Sequence, residues 1–95
     1  MQPDPTLCPQ EIRDSLDLYL QGCPVGGFLT AVLANDLHRA VQIADSVNIR
    51  FIPEIVAYVV WKLPLNTYGS YEIVAYHYQQ IRKRRKEKHA GENPA

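Results

Sequence analysis

Two adjacent glycines stand directly before an apolar helical pattern and form the first candidate ligand site of this chain. Gly26 and Gly27 precede the run that starts at Phe28. The first N–H groups of a helix have no partner within the helix, and such groups bind anions. The stretch lacks the lysine of a phosphate-binding loop and does not follow a predicted strand. The glycines therefore indicate either an anion site or a sharp turn that packs two helices closely.

A polar cluster interrupts the same apolar pattern a few residues later, at Asn35, Asp36, His38 and Arg39. On a continuous helix, Asn35 and Arg39 share a face because they are four residues apart. An amide beside a guanidinium suits hydrogen bonding to a base edge or a phosphate. The alternative is a solvated cluster, or one that caps a helix after a bend.

Tyrosines supply the third possible kind of contact, since the chain has six of them. Tyr68 lies next to Gly69-Ser70, where its ring could stack on a ligand ring. Tyrosines at helical spacing also fill cores and interfaces. The sequence thus predicts five ligand-binding residues: Gly26, Gly27, Asn35, Arg39 and Tyr68.

The C-terminal segment is strongly basic, although the formal net charge of the chain is zero. This segment is a candidate for neutralising nucleic-acid phosphates, but it has no interleaved aromatics for reading bases. Cations also suit the C-terminal end of a helix, and a solvated tail needs no ligand. The basic residues are Arg82, Lys83, Arg84, Arg85, Lys86 and Lys88.

Metal and catalytic sites are not expected. The cysteines and histidines show neither CxxC nor HxxxH spacing. No nucleophile–base pair can be argued, and His77 is interpreted as a neutral, packed histidine. Cys8 and Cys23 flank a predicted helix of roughly 20 Å, too long for a disulfide to span. We therefore predict a non-enzyme without a cofactor, with reduced thiols, in a cytoplasmic compartment.

Four helices are predicted to position these residues. The first covers about 9–21 and ends at Gly22. The second runs from Phe28 to about Asp45, either continuously or with a bend near Asn35. The third begins near Ile52 and ends before Pro64.

The last helix starts after Ser70, a good N-cap residue, and follows a loop over residues 65–69. It continues into the basic segment and is expected to fray before Gly91. We therefore predict an all-α fold, a small four-helix bundle or a pair of helical hairpins. The expected divisions are a flexible Pro-rich start at 1–8, one helical domain at 9–81, and a tail at 82–95 that is partly helical and then disordered.

The third helix is apolar on nearly all sides, so it must be covered on every side. Three short neighbours can barely do so within one small subunit. We therefore expect self-association, most simply as a symmetric dimer. The alternative is that this is the central helix of a monomer. The expected interface residues are Ile52, Val56, Val59, Val60 and Leu63.

Several short runs resemble a family of small, mostly uncharacterised proteins of tailed phages and prophages. The most specific is the Gly-Gly-Phe-Leu…Asn-Asp-Leu run over residues 26–37, and the similarity covers roughly residues 12–76. Its other segments are Ala40-Val41, Ala44-Asp45, Asn48, and Pro64 through Gly69-Ser70. The resemblance implies a phage accessory protein in a bacterial cytoplasm, and it supplies no catalytic residue.

The expected function is binding and sequestration of a host protein or of a small anionic, nucleotide-like ligand. Such sequestration would act against a host defence. The alternatives are a nucleic-acid accessory protein that uses the basic segment and a purely structural assembly protein. A membrane partner is not expected, because the chain has no signal-peptide pattern at its start. It also has no run of about 18 apolar residues.

Overall fold

All regular structure is helical in the computed structural model, which describes the backbone of residues 2–92 and the side chains of residues 2–86. No strand occurs within that range, so the all-α prediction is confirmed. The five α-helices are α1 (Gln10–Leu20), α2 (Gly27–Leu33), α3 (Leu37–Ile43), α4 (Ile52–Lys62) and α5 (Tyr71–Glu92). Three 3-10 helices accompany them, at Pro5–Leu7, Asn48–Phe51 and Leu65–Thr67.

Helix α1 ends where the sequence predicts, at a glycine in the left-handed region. Gly22 has φ +95°, and its N–H donates to the Tyr19 carbonyl while the N–H of Cys23 donates to that of Leu18. This pair of hydrogen bonds satisfies carbonyl groups that the helix end leaves without partners. A Cβ at Gly22 would also collide with the Ile81 side chain. Glycine is therefore required here both for the turn and for the close approach of α5.

The second predicted helix is divided in two at Asn35. This residue has φ +60°, and the N–H of Asp36 donates to the Ala31 carbonyl at 2.8 Å. Asn35 thus ends α2 in the way that Gly22 ends α1, because asparagine tolerates the left-handed conformation better than most residues. Asp36 then caps α3. A continuous helix from Phe28 to Asp45 is wrong, and the bend is correct.

The boundaries of α4 and α5 follow the predicted signals. Pro53 lies in the first turn of α4, and Leu63 is extended directly before Pro64. The N–H of Ile73 donates to the Ser70 hydroxyl oxygen at 3.1 Å, which confirms Ser70 as the cap of α5. That helix continues through the basic segment to Glu92, past the expected fraying point at Gly91.

One core joins α1, α2, α4 and the start of α5. Its fully buried side chains are Tyr19, Leu16, Leu33, Ile55 and Cys8. The segment expected to be a flexible start contributes Cys8 to this core, and the 3-10 helix at Pro5–Leu7 contacts α4. Burial raises the pKa of the Cys8 thiol to about 11. Neither cysteine forms a disulfide. Within the described range, no helix is both long and apolar enough to cross a bilayer.

Candidate functional site

The paired glycines lie at the start of α2, where both are exposed to solvent. A Cβ at Gly27 would meet the Ile43 side chain of α3 at 3.3 Å. The hydroxyl of Thr30 donates to the Gly26 carbonyl at 2.9 Å. Helix α2 has only seven residues. These contacts favour the packing interpretation of the glycines, because Gly27 allows α2 to lie close to the end of α3.

The polar cluster around Asp36 forms a turn whose hydrogen bonds are made within the chain. The Arg39 N–H donates to Oδ1 of Asp36 at 3.2 Å, and the Tyr71 hydroxyl donates to Oδ2 at 2.6 Å. The hydrogen bond from Tyr71 is the main reason that the pKa of Asp36 is lowered. Because Asn35 lies outside both helices, it does not share a helix face with Arg39. The expected Asn–Arg pair on one face is therefore wrong, and the turn instead ties α3 to the start of α5.

Asn35 and Tyr68 do come together, in a groove of about 230 Å³ between α2 and α4. Gly26, Gly27 and Arg39 do not line it. The groove is mostly aliphatic, and its other lining residues are Val32, Leu33, Val56, Val59, Val60 and Gly69. Such a lining suits an apolar side chain better than a phosphate group. The five predicted ligand-binding residues therefore do not form one anion site.

Helix α4 presents a second apolar face to solvent, as its composition predicts. Val56, Val60 and Trp61 are 41%, 60% and 57% exposed, whereas Ile55 and Val59 on the other face are 0% and 3% exposed. Val56 and Val60 are one helical turn apart, so they form a ridge. We call this pair the α4 ridge.

Two grooves flank the α4 ridge. One is the aliphatic groove beside Asn35. The other has a volume of about 630 Å³ and is bordered by the N-terminal segment. Besides the ridge it is lined by Gln2, Pro3, Pro5, Pro53, Ala57 and Trp61. Only Gln2 is polar among these residues, so this surface is suited to an apolar partner.

The predicted interface residues are divided between the two faces of α4. Val56 and Val60 point outward, and Ile52 is half-buried. Val59 and Leu63 are both buried in the core of the chain. The assignment of Leu63 to an interface is therefore wrong, whereas Val59 still contributes to the lining of the groove beside Asn35. Trp61 belongs to the exposed face but was missed. Its place beside Val60 was the available signal, since adjacent helix positions can border the same stripe.

A more polar cleft of about 430 Å³ shares no lining residue with the two grooves beside the α4 ridge, and the sequence did not predict it. It is enclosed by the end of α1, the 3-10 helix at Leu65–Thr67 and one face of α5. We call it the α5 cleft. Its lining residues are Leu20, Pro64, Asn66, Thr67, Tyr76, His77, Gln80, Ile81 and Arg84.

His77 and Thr67 are the two buried polar residues among those that line this cleft. His77 is held by a hydrogen bond to α1. Its Nε2 lies 2.7 Å from the Tyr19 carbonyl oxygen, and the two rings are 4.4 Å apart between centroids. Because a carbonyl only accepts, Nε2 carries the proton and donates. His77 is therefore packed, as the sequence predicts, and its hydrogen-bond partner is the Tyr19 carbonyl.

The basic segment has several roles within α5. The Nη2 group of Arg85 donates to the Gln21 carbonyl at 2.7 Å, beyond the end of α1. Arg84 lines the α5 cleft. Arg82, Lys83 and Lys86 are exposed to solvent on the same helix. The side chain of Lys88, also named as a nucleic-acid contact, lies outside the described residues.

Within the described part of the chain, no group of histidine, cysteine and acidic residues could hold a metal ion. The candidate surfaces that we develop are the apolar face of α4, the α5 cleft and the outer face of α5. Comparison with models of protein families, with characterised proteins and with solved structures finds no match to this chain.

Proposed function

We propose that this protein is a non-enzymatic binding protein that acts through the exposed apolar face of α4. The observation that carries the proposal is the α4 ridge, two exposed valines with an apolar groove on each side. Burial of such exposed apolar surface away from water is favourable, and this favours association with another protein.

A second copy of the chain is the simplest occupant of this face. Side chains four residues apart form ridges that fit the grooves of a neighbouring helix. Each copy carries both the ridge of Val56 and Val60 and the grooves beside it. Two copies related by a twofold axis could therefore bury each other's ridges.

The same face supports sequestration of a host protein. An apolar helix of a partner could take the place of the second copy, with its side chains in the two grooves. The resemblance to phage proteins makes a host defence factor in the bacterial cytoplasm the partner that we propose. A nucleotide-like ligand is less well supported here, because none of the described residues lining the groove beside Asn35 and Tyr68 is charged.

The test is sedimentation equilibrium of the wild type, Val60→Lys and Leu18→Lys from about 10 µM to about 1 mM. Val60 and Leu18 are exposed to similar degrees, 60% and 49%, on different helices. We expect the wild type and Leu18→Lys to form dimers of the 10.8 kDa chain, and Val60→Lys to remain a monomer. A lysine at the ridge would place a charge in the interface without a partner.

Two results would contradict self-association through α4. One is a monomeric wild type over the whole range. The other is dimerisation of Val60→Lys with the same affinity as the wild type. Far-ultraviolet circular dichroism of each variant would establish that the helices are retained, so that loss of folding is not mistaken for loss of the interface.

The outer face of α5 supports nucleic-acid binding as a second candidate function. Arg82, Lys83 and Lys86 are exposed at positions i, i+1 and i+4, so they lie on one side of the helix. We expect the protein to retain duplex DNA at about 50 mM salt and to release it at about 200 mM salt. Replacing these three residues by glutamine should abolish the retention. Salt-insensitive retention, or none at all, would rule out this function.

A further inference from the structure

We propose that the α5 cleft is a binding site for a small organic anion, a carboxylate or a phosphate on an apolar or aromatic body. The cleft of about 430 Å³ lies within the range of small-molecule sites. It shares no lining residue with either groove beside the α4 ridge. The proposal is therefore independent of the proposed protein-binding function.

The pattern of α5 explains how this cleft is built. Tyr76, Gln80 and Arg84 are four residues apart and form one row along the helix, while His77 and Ile81 form the neighbouring row. His77 is buried, whereas Tyr76 is 57% exposed. The first row thus lies nearer the rim, and the second lies nearer the core.

Two short hydrogen bonds fix the walls of the cleft to one another. The Tyr19 hydroxyl donates to the Thr67 carbonyl at 2.6 Å, which joins α1 to the 3-10 helix. His77 Nε2–H donates to the Tyr19 carbonyl at 2.7 Å, which joins α5 to α1. A site whose walls are held in place before binding loses less entropy when it takes up a ligand.

The lining defines the chemical class of the ligand. Arg84 is positively charged, and none of the described residues that line the cleft is acidic. A guanidinium binds a carboxylate or a phosphate through two parallel hydrogen bonds. The side-chain amides of Asn66 and Gln80 could donate to the same anion.

Part of the cleft lining is apolar and would contact the body of the ligand. The apolar residues are Leu20, Pro64 and Ile81, one from each of the three segments that enclose the cleft. The ring of Tyr76 at the rim could contact an aromatic body. A free inorganic ion would leave these apolar side chains exposed to water, so an organic anion fits the cleft better.

The experiment titrates the full chain with AMP, sodium hexanoate and inorganic phosphate, and follows backbone amide resonances by NMR. We expect saturable shifts around Asn66 and Ile81 with AMP or hexanoate, and weaker binding of inorganic phosphate. Arg84→Gln should weaken the binding by about tenfold or more, the usual effect of losing a charged hydrogen bond. The matched control is Arg82→Gln. It removes the same charge two positions earlier in α5, where the side chain does not line the cleft.

The difference between AMP and hexanoate identifies the anionic group, since one carries a phosphate and the other a carboxylate. Absence of saturable shifts around the cleft with both, up to about 10 mM, would overturn the proposal. An equal loss of binding in Arg84→Gln and Arg82→Gln would also overturn it, because it would show general attraction to a basic helix. Unchanged spectra of both variants elsewhere in the chain would show that the fold is retained.

Discussion

The turn around Asp36 and the α5 cleft are both rich in polar side chains, but they use them differently. In the turn, each carboxylate oxygen of Asp36 accepts a hydrogen bond from within the chain. In the cleft, the His77 ring donates to the Tyr19 carbonyl, and the backbone carbonyl of Thr67 accepts from the Tyr19 hydroxyl. The Thr67 hydroxyl donates to the nearby Pro64 carbonyl. The side-chain amides of Asn66 and Gln80 make no hydrogen bond with the described residues.

This difference separates polar residues that build the fold from polar residues available to a ligand. The carboxylate of Asp36 already caps a helix and accepts from a tyrosine, so both of its oxygens are engaged within the chain. The side-chain amides of Asn66 and Gln80 and the guanidinium of Arg84, around a preformed cleft, make no hydrogen bond with the described residues and can donate to a ligand. In the sequence, the Asp36 cluster was a candidate site and the α5 cleft was not. The polar residues of the cluster are close together along the chain, whereas those of the cleft are far apart.

The largest stability effect is expected at the floor of the cleft, from Tyr19→Phe. This change removes one buried hydroxyl and leaves the Thr67 carbonyl without its donor. We expect the free energy of unfolding to fall by about 1–3 kcal/mol in urea denaturation. Tyr58→Phe is the control, since Tyr58 is buried but its hydroxyl bonds to no described residue. Equal effects of the two substitutions would mean that the hydrogen bond does not hold the cleft wall.

The next effect concerns the turn, where Asp36→Ala removes a helix cap and the acceptor for Tyr71. We expect Tm to fall by about 4–8 °C, the usual consequence of losing a cap in a domain of this size. Asp17→Ala is the control, because Asp17 is an exposed aspartate on α1 with no such contacts. If Tm changes by the same amount in both variants, the turn is not the structural element that we describe.

A smaller effect is expected at the rim of the cleft. Asn66→Ala and Gln80→Ala should each change the free energy of unfolding by no more than about 0.5 kcal/mol, as is usual for surface positions without fixed contacts. Urea denaturation would check this. A loss as large as that of Tyr19→Phe would assign the rim to the fold and remove the contrast with the turn.

The smallest effect is the acid dependence of the turn. The pKa of Asp36 is lowered in the folded chain, chiefly by the hydrogen bond from Tyr71. The folded state therefore favours the carboxylate, and this stabilisation is present above the ordinary pKa of about 4 and is lost as the pH falls below it. Tyr71→Phe should show a smaller loss of Tm between neutral pH and about pH 3 than the wild type. An identical acid dependence of the two proteins would contradict this assignment.

The helix ends were predicted best where a single residue dictates the backbone. Proline and the residue before it restrict the backbone at both ends of α4, and the Ser70 hydroxyl supplies the cap of α5. Asn35 was ambiguous, because asparagine is compatible both with an exposed helix position and with the left-handed residue that ends a helix. The hydrogen bond from Tyr71 to Asp36 spans 35 positions, and no local pattern contains it.

The candidate sites depend on contacts between distant segments of the chain more than the helix ends do. Composition alone indicated that α4 has more apolar surface than one chain can cover. It could not say which valines face outward, since that depends on where α1 and α2 pack. The α5 cleft joins residues near positions 20, 66 and 80, and no local pattern of the sequence brings these three segments together.

The amino-acid sequence by itself determined the helical class, most of the helix ends and the surplus of apolar residues on α4. These properties follow from backbone restriction, capping and side-chain periodicity, which act over a few residues. Tertiary structure alone decided that Asp36 accepts hydrogen bonds within a turn of the chain and that Val56 and Val60 form an exposed ridge. It also decided that His77 and Arg84 share a cleft. Those outcomes depend on which surfaces of separate helices exclude water from each other, and that is a property of the packed chain.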